Sequence, residues 1–334
     1  MPALVSMAND SSPLTREALL REANARDLDI SADQLDRWVR RGLVPRPVTR
    51  NFGGRVGRQS LYSAGTIEQL AAVKDALAVD RRLDRVAFLV WWWGFEVGMF
   101  EVRQFLNKMA DDLDREISEI RSASEDGTLD DLIEESASAR VRNKVMGRVR
   151  RRVGREAFPT VARILLEIAT GSFSGLYPDL ATDEDEGLLF EQALGLARAR
   201  SNPLPDGSGP WLTSDPEENL LDLSSIMSGQ TTKTLEDTDD TQLSIARDEM
   251  APIVQVLAAV ATAVEVEKGP GAYGIAEFGR LLDQISVDDL SHIFVLWLRL
   301  RGHDALRPGI SELSHVAREI LAQSDRGAEI ETSG

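Results

Sequence analysis

The stretch Ile30–Pro47, ISADQLDRWVRRGLVPRP, leaves the chain little choice of conformation. Ser31 and Gln34 have the Ser-x-x-Gln spacing of a capping box, in which each side chain satisfies a backbone N–H that a helix start leaves open. Leu35, Trp38 and Val39 follow at i, i+3 and i+4, which makes one apolar stripe on a helix. Gly42 is placed to end that helix, and Pro45 and Pro47 prevent it from resuming. Residues 48–62 then hold Gly53, Gly54 and Gly57 among arginines, followed by Leu61 and Tyr62, which reads as a β-hairpin or wing.

Charge singles out the same stretch. Between Asp36 and Ser63 lie seven arginines, Arg37, Arg40, Arg41, Arg46, Arg50, Arg55 and Arg58, against Asp36 as the one acid. The whole chain carries a net charge of -17 over 334 residues. Residues 1–82 sum to +3 and the remainder to −20, so a small basic module is joined to a strongly acidic body. That layout suits a protein in which one part meets phosphate and the rest stays off it. Such a charge run is ordinarily a solvated helix face, and that reading stands beside contact with nucleic acid.

The remaining organisation is mainly α-helical. Thr15 begins a helical run with Leu19, Leu20 and Ala23 at helical spacing. Ser63 and Thr66 compete as N-caps for a helix to about residue 80, with Ile67, Leu70, Val73 and Leu77 as its core face. A helix over about 83–93 ends in Trp91, Trp92, Trp93 and Gly94, and a long one runs from about 96 to 122. In that long helix Val102, Leu106, Met109, Leu113 and Ile120 approximate a 3-4 seam, interrupted by Glu116. Helices are expected over 129–156, 159–170 and 186–200. Residues 201–247, rich in Ser, Thr, Asp, Gly and Pro, read as a linker or irregular loop, with LLDLSSIM as an apolar island. Helices follow over 248–267, 275–284, 287–301 and 309–323, with Ser286 and Ser311 where N-caps belong. The expected domains are 14–94, 95–200, the linker 201–247, and a C-terminal helical domain over 248–326.

The order helix, turn, helix, Gly/Arg wing, helix resembles the DNA-binding domain of MerR-type regulators, a winged helix-turn-helix, over roughly residues 14–94. Ile30-Ser31, Leu35, Trp38, Gly42-Leu43-Val44-Pro45, Arg50 and Tyr62-Ser63 occupy the places of that family's pattern. The resemblance implies sequence-specific binding of double-stranded DNA in bacterial transcription control, by a homodimer for which the helix over 96–122 is the candidate contact. On this reading Ser31, Arg37, Arg40, Arg41, Arg46, Arg50, Arg55, Arg58 and Tyr62 meet DNA. The helix start offers free N–H groups, the helix arginines reach base edges or backbone, and the wing arginines hold flanking phosphates or enter the minor groove. Two departures stand out. The family often has Arg-Tyr-Tyr where this chain has Asp36-Arg37-Trp38, and the wing from Val48 to Leu61 is longer than usual. Asp36 is free to pair with Arg40 at i+4 or to accept from a cytosine amino group.

Other chemistry finds little support. Cysteine is absent, which removes disulfides and thiolate sites and is compatible with a reducing cytoplasm. His292, His303 and His315 lack metal-ligand spacing, no catalytic set is visible, and neither cofactor nor metal is expected. The apolar run Met250–Val266 is interrupted by Pro252 and Gln255 and reads as a buried helix rather than a membrane span. Three consecutive helical residues point about 100° apart, so Trp91, Trp92 and Trp93 cannot share one pocket wall. The basic stretch Arg140–Arg155 is expected to neutralise neighbouring acids rather than to touch nucleic acid. Two rival functions remain: a protein-interaction scaffold, and an architectural DNA-binding factor of excisionase type. The effector, if any, is not legible.

Overall fold

The computed structural model describes residues 13–51, 58–125, 224–225, 228–268, 286–303 and 306–332. Among them the protein is mainly helical, with one small antiparallel sheet. The first elements are β1 (Leu14–Thr15), α1 (Arg16–Ala25), α2 (Ala32–Arg40), β2 (Val48–Asn51), β3 (Arg58–Tyr62), α3 (Thr66–Val79), α4 (Leu83–Trp92) and α5 (Met99–Glu125). After them come α6 (Thr231–Glu236), α7 (Asp240–Lys268), α8 (Val287–Gly302) and α9 (Arg307–Thr332). The expected helices over 129–156, 159–170, 186–200 and 275–284, and the basic stretch Arg140–Arg155, lie outside the described residues.

Two compact units share the chain. One comprises Met1–Met109, Asp239–Ala251 and Ser286–Ser291; the other comprises Ala110–Thr238, Pro252–Ile285 and His292–Gly334. Besides the stretch expected as a domain over 14–94, the first unit includes α5 as far as Met109 and two later segments. Arg85 of α4 donates to Asp80 at 2.7 Å and to Asp288 at 2.6 Å. Arg247 of α7 donates to the Trp91 carbonyl at 2.8 Å, and its guanidinium lies 5.1 Å from the Trp91 ring centroid. Arg103 bonds Asp240. All of these but the Arg85–Asp80 bond tie positions more than a hundred residues apart.

The core of this unit is built from the expected stripes. Leu19 and Ala23 of α1, Leu35 and Trp38 of α2, and Ile67, Leu70 and Val73 of α3 are buried, whereas Leu77 is only half-buried. The apolar run of α4 is buried through Trp91 and Trp92, while Trp93 is half-exposed at the helix end. Phe88 packs against Trp91, Trp92 and Phe105 with ring centroids 5.3 to 6.2 Å apart. Each such aromatic removes about 150–250 Å² from water, so this cluster dominates local packing.

That packing changes the reading of α5. Val102 and Leu106 are fully buried and Met109 is 3% exposed within one chain. These three seam residues are thus packed into the chain's own core, while Leu113 is half-buried.

The sheet has the order β1-β3-β2. The expected hairpin is β2–β3, with Val48 opposite Leu61, Arg50 opposite Gln59 and Asn51 opposite Arg58. The short β1 adds a third strand through Leu14 opposite Tyr62, a pairing that two residues before a helix give no means of expecting.

Further along, the expected linker over 201–247 is helical in part. Asp239 accepts from the Gln242 N–H at 2.8 Å and Gln242 Oε1 accepts from the Asp239 N–H at 2.9 Å. This is a reciprocal cap that starts α7 at Asp240, eight residues before the expected start. Leu243, Ala246 and Met250 then give it a buried stripe. Ser286 does cap α8, accepting from the Asp289 N–H at 3.1 Å. Ser311 caps nothing: α9 begins at Arg307, with Pro308 in its first turn, where a missing N–H costs no helix hydrogen bond.

Candidate nucleic-acid interface

The interface begins with a helix bounded at both ends by its own sequence. At the start of α2, Ser31 Oγ accepts from the Gln34 N–H at 3.2 Å and Gln34 Oε1 accepts from the Ser31 N–H at 2.9 Å. At its end the Leu43 N–H donates to the Trp38 carbonyl at 2.9 Å and the Gly42 N–H to the Val39 carbonyl at 3.1 Å. These are the two bonds of a Schellman stop, and Gly42 occupies its left-handed position with φ 70°.

Between these limits the helix sorts its residues by angle. At 100° per residue, Arg37, Arg40 and Arg41 fall within about one quadrant, roughly opposite the stripe of Leu35, Trp38 and Val39. Leu35 and Trp38 are buried, Val39 is half-buried, and all three arginines are exposed. Arg40 Nε donates to the Asp36 carbonyl at 3.3 Å, which lays its stem along the helix. Asp33 is exposed on the same side, in the first turn, where a carboxylate suits the helix dipole.

Asp36 is not ion-paired with Arg40. Its carboxylate accepts from Arg16 Nη2 of α1 at 2.5 Å, and the same guanidinium nitrogen donates to the Ala32 carbonyl at 3.2 Å. Arg16 thus pins the first turn of α2 to α1. Nothing in the local pattern around Arg16 marks it for this task, since its partner is 20 residues away.

The hairpin carries the remaining cations. Arg50 and Arg58 are exposed, and all four residues of β2 are exposed. Because side chains alternate along a strand and Arg50 pairs with Gln59, Arg50 lies on the face of Val48 and Leu61, and Arg58 on the opposite face. The hairpin therefore shows a cation on each side. Arg46, in the segment between α2 and β2, is exposed as well. Arg55 lies outside the described residues.

Among the described residues none of Arg37, Arg40, Arg41, Arg46, Arg50 and Arg58 is ion-paired to a carboxylate. The arginines of the molecule that do pair, such as Arg16, Arg26, Arg82 and Arg85, sit on other elements. Tyr62 differs from the arginines in exposure. It is 5% exposed and belongs to the core, and burial pushes its phenol above the ordinary value while the nearby Arg16 charge opposes the shift.

Gln69 is a positioning residue that sequence reasoning misses. It lies within the apolar face of α3 and is 4% exposed. Its Nε2 donates to the Leu43 carbonyl at 2.8 Å and to the Glu96 carbonyl at 2.6 Å. The Gly98 N–H donates to the Gly42 carbonyl at 2.7 Å, and the two glycines pack backbone to backbone. The turn after α2 is thereby fastened to the segment that enters α5. A polar residue inside an apolar stripe is the one clue the sequence offers.

Among the described residues no group of His, Asp and Glu is arranged to hold a metal ion, and no helix is long and apolar enough to cross a membrane. No protein-family model, curated protein or solved structure matches the chain.

Proposed function

We propose that the N-terminal part of this protein is a winged helix-turn-helix that binds double-stranded DNA, and that the protein is a transcription regulator of MerR-like type. One observation carries the reading: exposed arginines on α2, on the following turn and on the hairpin have no carboxylate partner among the described residues, in a chain with a net charge of -17. A protein with acids in such excess pairs its cations readily, and a row left unpaired suits an external polyanion. Arg37, Arg40 and Arg41 would face the major groove and Arg50 and Arg58 the backbone beside it. Ser31 serves by starting the helix whose N–H groups point at phosphate.

The test is a fluorescence-anisotropy titration of the full chain against a pool of genomic DNA fragments at several salt concentrations. The expected affinity falls steeply with salt. Arg37→Ala with Arg40→Ala lowers it and reduces the salt slope by about one for each phosphate that a removed guanidinium had neutralised. Affinity indifferent to salt and to both substitutions would overturn the reading.

A second reading, a protein-interaction scaffold, is favoured by α9. Leu313, Val316 and Ile320 are 43 to 51% exposed on neighbouring turns of one face. Co-purification of a protein partner that Leu313→Ser releases, together with no retention on DNA, would select it. An excisionase-like architectural role would instead appear as bending of the bound fragment without promoter preference.

A further inference from the structure

Beside the arginine row lies a cleft of about 700 Å³, within the range of small-molecule sites. Its apolar lining comes from Val39, Val44, Pro45, Val48, Leu61 and Val97. Its charges are of both signs and come from two places. Arg40, Arg41 and Arg46 enter from the end of α2 and the following turn; Glu96 and Glu101 enter from the segment leading into α5. No arginine of this set comes within 4.0 Å of either glutamate.

The two segments that carry these charges are joined by fixed backbone contacts. Gln69 bonds the Leu43 and Glu96 carbonyls together, and Gly98 bonds Gly42. Separated opposite charges over an apolar floor select strongly. A plain anion gains the arginines and is opposed by the glutamates; a plain cation meets the reverse. A molecule with both charges and an apolar body satisfies every part.

We infer that this cleft is a binding site for a small zwitterion with an apolar body, of the amino-acid type, its carboxylate on Arg41 and Arg46 and its ammonium on Glu96 and Glu101. Since Arg40, Arg41 and Arg46 also belong to the row assigned to DNA, occupancy lowers DNA affinity; this consequence rests on the proposed function, whereas the binding itself does not.

Three matched probes test it by calorimetry on the full chain without DNA: phenylalanine, 3-phenylpropanoate, which lacks the ammonium, and 2-phenylethylamine, which lacks the carboxylate. Saturable binding of phenylalanine is expected, at least about tenfold tighter than either of the others. Glu96→Gln with Glu101→Gln should abolish the preference of phenylalanine over 3-phenylpropanoate, a change of selectivity that mere loss of folding would not produce. Arg41→Ala with Arg46→Ala should weaken phenylalanine by about tenfold or more. No saturable heat from phenylalanine at millimolar concentration, equal binding of the three probes, or binding indifferent to both double substitutions would each overturn the site. In a separate DNA titration, phenylalanine that binds yet leaves DNA affinity unchanged refutes the competition alone. Failure to bind DNA at all refutes the proposed function and leaves the calorimetric result to decide the cleft.

Discussion

Gly42 is the residue on which the arginine-bearing turn depends. Its φ of 70° is one that residues with a Cβ adopt at a cost, and a Cβ there would stand 3.0 Å from the Gly98 Cα, with backbone on both sides unable to yield. Gly42→Ala is expected to destabilise the protein by about 1–3 kcal/mol in denaturant unfolding. Gly98→Ala meets its neighbour at 3.3 Å and has no such φ, so its effect should be smaller; equal effects would contradict the account. Asp27 is the converse case. It holds the left-handed position of the stop after α1 with φ 57°, and the Leu28 N–H donates to the Ala23 carbonyl at 3.0 Å. Asp27→Gly removes the steric cost, and a rise in stability of about 0.5–1 kcal/mol is expected; a fall would show that the Asp side chain contributes more than its backbone costs. Gly42 is recognisable as a helix stop from sequence alone. Its contact with Gly98 is not, since the two are 56 positions apart.

Helix ends show how far local pattern carries. The Ser-x-x-Gln box at Ser31 and the Asp-x-x-Gln box at Asp239 obey the same rule, and both form. The first stands out because an apolar stripe follows at once; the second is hidden by the polar run EDTDDTQ, whose composition reads as loop. α6 is held differently, by a residue from another helix. The Asp114 carboxylate of α5 accepts from the Thr231 and Thr232 N–H groups, each at 2.8 Å, and from Thr232 Oγ1 at 2.7 Å. Burial pushes the Asp114 pKa up, but these donors outweigh it and hold the group below its ordinary 3.8. A carboxylate so depressed contributes stability that is complete above the unfolded value and is lost as pH falls through the lower folded one. Asp114→Asn should therefore cost about 1 kcal/mol at neutral pH, and the gap in melting temperature between it and the wild type should close as pH falls below 3.8. A gap that is constant with pH would remove the charge from the argument.

For the molecule as a whole, the boundary of the basic module matters most. The expected domain over 14–94 ends at Gly94, but the unit that contains it also uses α5 as far as Met109 and the segments Asp239–Ala251 and Ser286–Ser291. A fragment of residues 1–94 would leave Phe88 without Phe105, Arg85 without Asp288 and Trp91 without Arg247. Such a fragment is expected to lack the cooperative thermal transition of the full chain, measured by circular dichroism. An unchanged melting temperature would show that the later segments are passive. The segments Asp239–Ala251 and Ser286–Ser291 are thus structural members of the basic unit.

Reading along the chain was enough for much of what lies within a helical turn or one hairpin, the Asp239–Gln242 cap excepted. The caps of α2 and α8, the buried stripes of α1 to α3, the hairpin and the exposed arginines all follow from turn chemistry and periodicity acting over that range. Partnerships were beyond its reach. That Arg16 meets Asp36, that Gln69 joins two backbone segments, that Val102, Leu106 and Met109 enter the chain's own core and that Tyr62 is interior depend on which surfaces come together in space. Those choices are made by closing loops of tens to hundreds of residues around a shared core, and no local spacing encodes which surface will be met.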